Sequence, residues 1–177
     1  CHPPTQIIKT EAQYSVAPEI AEEKMLQHRC LEGFHIKPVT DYLASRIPVL
    51  VNNDCHIVLC APTESMASYF YKNADADEMI FVHEGSGILH TMYGDLPFGY
   101  GDYLVIPRGT IYQISFSTSL NRLFIVESFS PIRYPRQYTS KYGQLLEHAP
   151  FCERDIRPPT ALKTFDQTGD FLIRTKK

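Results

Sequence analysis

Between residues 48 and 130 the chain alternates short apolar runs with turn-forming clusters. Val, Ile, Leu, Phe and Tyr gather in segments such as Ile47-Pro-Val-Leu-Val51, Ile57-Val-Leu-Cys-Ala61, Met79-Ile-Phe-Val-His83 and Leu104-Val-Ile106. Asn52-Asn53-Asp54, Lys72-Asn73-Ala74-Asp75, Glu84-Gly85-Ser86-Gly87, Tyr93-Gly94-Asp95 and Pro107-Arg108-Gly109 interrupt them. Segments of about 5–8 residues cut at this spacing, with no long 3.6-residue period between them, predict antiparallel strands in a sandwich or barrel. Arg122-Leu-Phe-Ile-Val-Glu127 closes the series as a continuous apolar run, the pattern of a buried strand.

The flanks read differently. Residues 1–47 show little periodicity beyond a short helix predicted at Pro18-Glu-Ile-Ala-Glu-Glu-Lys-Met-Leu26. Pro18 suits a first helical turn, and Glu19, Glu22 and Glu23 favour the positive end of a helix dipole. Residues 131–177 carry prolines at 131, 135, 150, 158 and 159 and arginines at 133, 136, 154 and 157. This segment reads as extended chain whose apolar islands, Gln144-Leu-Leu-Glu147 and Phe171-Leu-Ile173, dock on a larger body.

Composition narrows the function classes. The 177 residues hold 17 Lys plus Arg against 20 Asp plus Glu, a formal charge of −3, so no basic footprint for nucleic acid is expected. No apolar run approaches a membrane span. Five cysteines, with no Cys-x-x-Cys, fit free thiols in a reducing compartment, and a cytoplasmic location is expected. The pair Cys55 and Cys60 falls in a predicted strand and reads as buried thiols. The chain begins at Cys1, which suggests either processing or a piece of something longer.

One spacing carries more information. Glu78 precedes Gly85 by seven positions, and Gly101 is followed after five residues by Pro107-Arg-Gly109, with a hairpin between the two strings. This is the skeleton of the paired cupin motifs. It predicts a mainly β fold, a double-stranded β-helix (jelly-roll) barrel over 48–130 with extended N- and C-terminal flanks. A metal-bearing cupin places His-x-His just before the motif Glu and a further His three residues after the Pro-x-Gly glycine. Here Tyr71-Lys-Asn-Ala-Asp-Ala-Asp77 contains no histidine and the downstream position is Tyr112, so Glu78 is the one motif ligand left. No metal ligand set and no catalytic residue are therefore assigned to this chain. If Glu78 points inward, Ile80 and Val82 do too, and His83 faces out. His56 and His90 lie in separate strands with no carboxylate at a useful spacing. Asp75, Asp77 and Glu78 could suggest an oxygen-ligand cation site, but without the EF-hand glycine and terminal Glu they read as a solvated turn. Glu78, Tyr112, Asn73 and Arg108 form a candidate polar group near a degenerate barrel mouth.

Longer strings carry a resemblance. Tyr71-Lys-Asn-Ala-Asp-Ala-Asp-Glu-Met-Ile-Phe-Val-His-Glu-Gly-Ser-Gly87 and Tyr100-Gly-Asp-Tyr-Leu-Val-Ile-Pro-Arg-Gly-Thr-Ile-Tyr-Gln113 resemble the N-terminal domain of the homogentisate 1,2-dioxygenase family. Arg46-Ile-Pro-Val-Leu-Val-Asn-Asn-Asp-Cys-His56, Asn121-Arg-Leu-Phe-Ile-Val-Glu-Ser-Phe-Ser-Pro131 and Leu145-Leu-Glu-His-Ala-Pro-Phe-Cys-Glu-Arg-Asp155 extend it. The resemblance implies ring cleavage of homogentisate to maleylacetoacetate in tyrosine and phenylalanine catabolism, with Fe(II) in the full-length enzyme. It implies that the iron ligands belong to a C-terminal half not contained in these residues. It implies further that this chain alone is inactive, and that its partners are the missing half and further copies in a trimer or hexamer. The alternative reading is a free-standing, metal-less cupin that binds a small ligand.

Overall fold

A computed structural model describes residues 28, 30–150, 155–164, 166 and 168–177. The helix expected at Pro18–Leu26 lies outside the described residues. Ten strands follow in order: β1 Arg46–Val51, β2 Cys55–Cys60, β3 Phe70–Asn73, β4 Asp77–Glu84, β5 Gly87–Thr91, β6 Gly94–Phe98, β7 Tyr103–Ile106, β8 Ile111–Phe116, β9 Arg122–Ser128 and β10 Ile173–Lys176. Single-turn 3₁₀ helices occupy Gly33–His35 and Arg136–Tyr138. The strands form two five-stranded sheets, ordered β1-β2-β9-β4-β7 and β10-β3-β8-β5-β6. This is the expected cupin-type jelly roll.

The predicted turns fall between these strands. In the first, Asn52 Oδ1 accepts the amides of Asp54 and Cys55, both at 2.8 Å, so a side chain caps the β1–β2 hairpin. In the β4–β5 connection Gly85 has φ +106°, and a Cβ there would lie 2.2 Å from Asn121 Oδ1. Gly87 meets a different constraint: its Cβ would come within 2.2 Å of the Ser115 carbonyl oxygen across the sheet. Both positions exclude a side chain, one by conformation and contact, the other by contact alone.

Alternation along the strands builds the core. Val58 and Cys60 of β2, Ile80 and Val82 of β4, Leu104 and Ile106 of β7, and Leu123 and Ile125 of β9 point inward from the first sheet. Tyr71, Leu89, Phe98, Tyr112 and Ile114 meet them from the second, and Tyr42, Met66 and Tyr69 close the ends. Glu78, Ile80 and Val82 are buried together, while His83 lies on the other face with its ring 4.9 Å from that of Phe34, as the period-2 reading expects.

Both flanks contribute to the barrel. Tyr42 and Arg46, within the segment 1–47, are buried in the barrel. At the other end β10 pairs parallel with β3, Ile173 beside Phe70 through Lys176 beside Asn73. Ile173, the end of the last apolar island, thus opens the strand that completes the second sheet, while Phe171 and Leu172 stay exposed. No local period could announce this, because a four-residue parallel edge strand takes its register from a partner about a hundred positions away.

The run Arg122–Glu127 also needs correction. Its inward side is buried, but Phe124 is 37% exposed. Two registered rows cross the outer face of the first sheet: Ile47, Leu59, Phe124, Phe81 and Tyr103, then Leu50, Ile57, Val126, Met79 and Val105. All ten are apolar or aromatic, and five of them rank among the exposed large hydrophobic residues. The strand is apolar on two sides because this sheet has two apolar faces.

Candidate functional site

The barrel interior holds a polar cluster built around Arg46, the first residue of β1. Its Nη2 donates to Glu78 Oε1 at 2.7 Å and to Glu127 Oε1 at 2.6 Å, and its Nη1 donates to Tyr42 Oη at 3.1 Å. Glu78 and Glu127 face each other across the β4–β9 ladder, so their carboxylates converge on one guanidinium. Tyr112 Oη donates to Glu78 Oε2 at 2.8 Å and lies 3.3 Å from Tyr42 Oη. Asn73 Nδ2 donates to Glu127 Oε1 at 3.3 Å, and His56 Nδ1 lies 3.3 Å from Glu127 Oε2. Lys176, delivered by β10, also donates to Glu127 Oε2. The guanidinium carbon sits 5.5 Å from the ring centres of both Tyr42 and Tyr71.

Electrostatics accounts for so much buried charge. The side chains of Arg46, Glu78 and Glu127 are each at most 1% exposed. An unpaired ion at that depth would cost several kcal/mol. Two cations, Arg46 and Lys176, match the two carboxylates. Burial alone would raise the Glu127 carboxyl, but the Arg46 and Lys176 charges outweigh it and hold the group below the usual carboxylate range. Burial works against the Arg46 charge in the same way, and Glu78 together with the phenols of Tyr42, Tyr71 and Tyr112 more than restores it. The phenols of Tyr42, Tyr71 and Tyr112 are raised above their ordinary value, first by burial, so they act as neutral donors. One atom is left over: Arg46 Nε has no hydrogen-bond partner.

Three of the four sequence-selected residues meet here and the fourth does not. Glu78, Tyr112 and Asn73 are buried and bonded within the cluster, so they are not polar groups at an opening. Asn73 also shapes the β3–β4 turn, where its Oδ1 accepts the amides of Asp75 and Ala76 at 3.1 Å. Arg108 is exposed and donates to the Phe129 carbonyl at 3.0 Å, outside the barrel. Asp77 is buried and accepts the amides of Arg108 at 2.9 Å and Ile132 at 2.7 Å, which replaces the solvated turn expected there. His56 and His90 do have carboxylate partners, Glu127 and Asp95, each supplied from another strand. Cys60 is a buried thiol as expected, pushed up to about 12 by burial, whereas Cys55 is half-buried and Cys30 is exposed.

Arg46, Glu127, Tyr42 and Lys176 escape the sequence reading. Glu127 has a legible signal: Leu123, Ile125 and Glu127 occupy successive inward positions of one strand. Arg46 opens the apolar string 46–51, where the pattern reads as core and a charge looks like a boundary.

The donor set decides how the cluster would treat a divalent ion. The inward carboxylate oxygens are taken by a guanidinium, an ammonium, a phenol, an amide and the His56 ring. Among the described residues no group of three or more His, Cys, Asp or Glu side chains is placed to hold a metal ion. The interior therefore does not fit an iron of the two-His, one-carboxylate kind. Arg46 supplies the positive charge at the barrel centre.

Paired sheets, inward motif glutamate and turn glycines define a cupin-type barrel. The family model for the homogentisate 1,2-dioxygenase N-terminal region matches residues 35–138, and the chain belongs to that family. A Saccharolobus solfataricus protein, provisionally named a dioxygenase, is 33% identical over 175 residues. That match covers 99% of this chain and 45% of the relative, so the chain spans less than half of the relative's length. The molecule is thus a dioxygenase-related cupin. Among solved structures, a provisionally named mannose-6-phosphate isomerase of Ralstonia eutropha aligns at 17% identity and TM-score 0.48, covering 58% of this chain and all of that one. A cupin-2 domain protein of Shewanella frigidimarina aligns at 21% identity and TM-score 0.41, covering 48% and 79%. Among the described residues no helix is long and apolar enough to cross a membrane.

Proposed function

We propose that this chain is the structural, non-catalytic cupin half of a homogentisate 1,2-dioxygenase. In the whole enzyme, Fe(II) held by the other half would cleave homogentisate to maleylacetoacetate with molecular oxygen. The observation that carries the reading is the Arg46 cluster, which fills the barrel where a catalytic cupin keeps open ligand positions. Family membership supports the reading of the reaction, and the donor set supports the division of labour.

The apolar outer face of the first sheet supports the same reading. Tyr103 is 62% exposed, Leu50 59% and Val105 48%, in adjoining rows rather than scattered. A face of this kind is suited to cover by a second folded body, and the proposed occupant is the catalytic half. Homo-oligomeric assembly as a trimer or hexamer is proposed for that two-part body.

Oxygen uptake with homogentisate tests the proposal. The chain alone should give none above buffer after anaerobic ferrous loading. Adding the catalytic half as a separate polypeptide should restore uptake and produce a stable complex on size-exclusion chromatography. Uptake by the chain alone would overturn the division of labour. An active catalytic half that neither binds this chain nor needs it would overturn the structural role, and would favour a free-standing ligand-binding cupin.

A further inference from the structure

The outer face of the second sheet carries a constellation unrelated to the barrel interior. His90 of β5 lies opposite Asp95 of β6 and next to β8, where Ser115 stands one pleat on from the residue directly across. Asp95 Oδ1 is 2.9 Å from His90 Nδ1, and His90 Nε2 is 3.0 Å from Ser115 Oγ. Lys163 donates to the second carboxylate oxygen, Asp95 Oδ2. The side chains of His90 and Asp95 are 31% and 20% exposed, so solvent and small molecules reach them.

We propose that Ser115, His90 and Asp95 form an acyl-transfer triad that accepts small activated esters. The order of the contacts sets the chemistry. A carboxylate on Nδ1 fixes that proton, which leaves Nε2 as the basic nitrogen, and Nε2 is the atom that meets the serine hydroxyl. Lys163 first, and then His90, hold the Asp95 carboxyl below its ordinary range, so the orienting group is an anion. Ile88 lies beside Ser115 in register, with Pro97 beyond it, and gives the acyl group an apolar floor.

The step balances without any further reagent. Ser115 Oγ attacks the ester carbonyl carbon as its proton passes to His90 Nε2. The ester C–O bond then breaks and His90 returns the proton to the departing oxygen, leaving acyl-Ser115. Water repeats the sequence, releasing a carboxylic acid and restoring the serine. Ser115 lies within a paired strand rather than on a strand-to-helix elbow. The substrates it suits are therefore esters whose leaving group is already good, such as phenyl esters.

A fluorophosphonate probe reads the nucleophile directly, since loss of fluoride leaves a stable Oγ–P bond. The intact chain should be labelled once, at Ser115 by peptide mass spectrometry, and should release p-nitrophenol from p-nitrophenyl acetate. Ser115→Ala should remove both signals, and His90→Ala should slow labelling about 100-fold, the usual share of a general base. Circular dichroism should show both variants folded. No label at Ser115 in the unaltered chain would overturn the proposal without recourse to any variant. An unchanged labelling rate in His90→Ala would overturn the role of the base. Either result leaves the reading of the barrel interior untouched.

Discussion

Two clusters in this molecule bring carboxylates to cations, and depth separates them. In the barrel, Glu78 and Glu127 share Arg46 with side chains at most 1% exposed. On the second sheet, Asp95 meets His90 and Lys163 at the surface, where Lys163 is 57% exposed. The buried cluster uses its charges on one another, so its chemistry is consumed in holding two sheets, β1 and β10 together. The surface cluster leaves a basic nitrogen aimed at a hydroxyl. Similar groups give a structural tie in one place and a candidate reactive centre in the other.

Removing the shared cation should break that comparison most severely. Arg46→Met leaves two buried carboxylates with only Lys176 between them, and urea unfolding should show a loss of about 3–5 kcal/mol. Neutralising the partners as well, in Arg46→Met with Glu78→Gln and Glu127→Gln, should recover part of it, because the damage comes from unpaired charge. A triple variant no more stable than the single one would contradict that cause. Lys176→Met should cost about 2 kcal/mol, the range for a hydrogen bond to a charged group, and should loosen β10 as seen by amide exchange. Tyr112→Phe removes a neutral donor from Glu78 and should cost about 1–2 kcal/mol.

Acid titration sharpens the same contrast. The Glu127 carboxyl lies lower in the folded chain than in the unfolded one, so the unfolded state binds its proton first as pH falls. Its contribution is present above the ordinary glutamate value of about 4.3 and is lost as pH drops through the depressed folded value. Stability followed by thermal melting should therefore fall below about pH 4, and Lys176→Met should flatten the fall. Asp95→Asn sits at the small end. Its exposed pairs should move stability by less than about 1 kcal/mol.

Legibility in the sequence followed how local each signal was. Glu78, the turn at Gly85 and the corner at Pro107–Gly109 sit at short fixed offsets, and the barrel could be read from them. Tyr112 could be placed by the same spacing, although its role as donor to Glu78 could not. Arg46 is 32 positions from Glu78 and 81 from Glu127, so its partners exist only after strand order is known. The triad has the same origin, since β5, β6 and β8 are brought together by sheet pairing. Arg108 shows the opposite failure: motif position marked it, but its side chain turns outward to Phe129.

Arg46 occupies the role of the barrel cation. Anaerobic incubation with excess Fe(II), desalting, and metal analysis alongside a melting curve put that role to the test. No stoichiometric iron and an unchanged melting temperature are expected, because a ligand that does not bind the native state cannot stabilise it. One tightly held iron per chain with a raised melting temperature would contradict it.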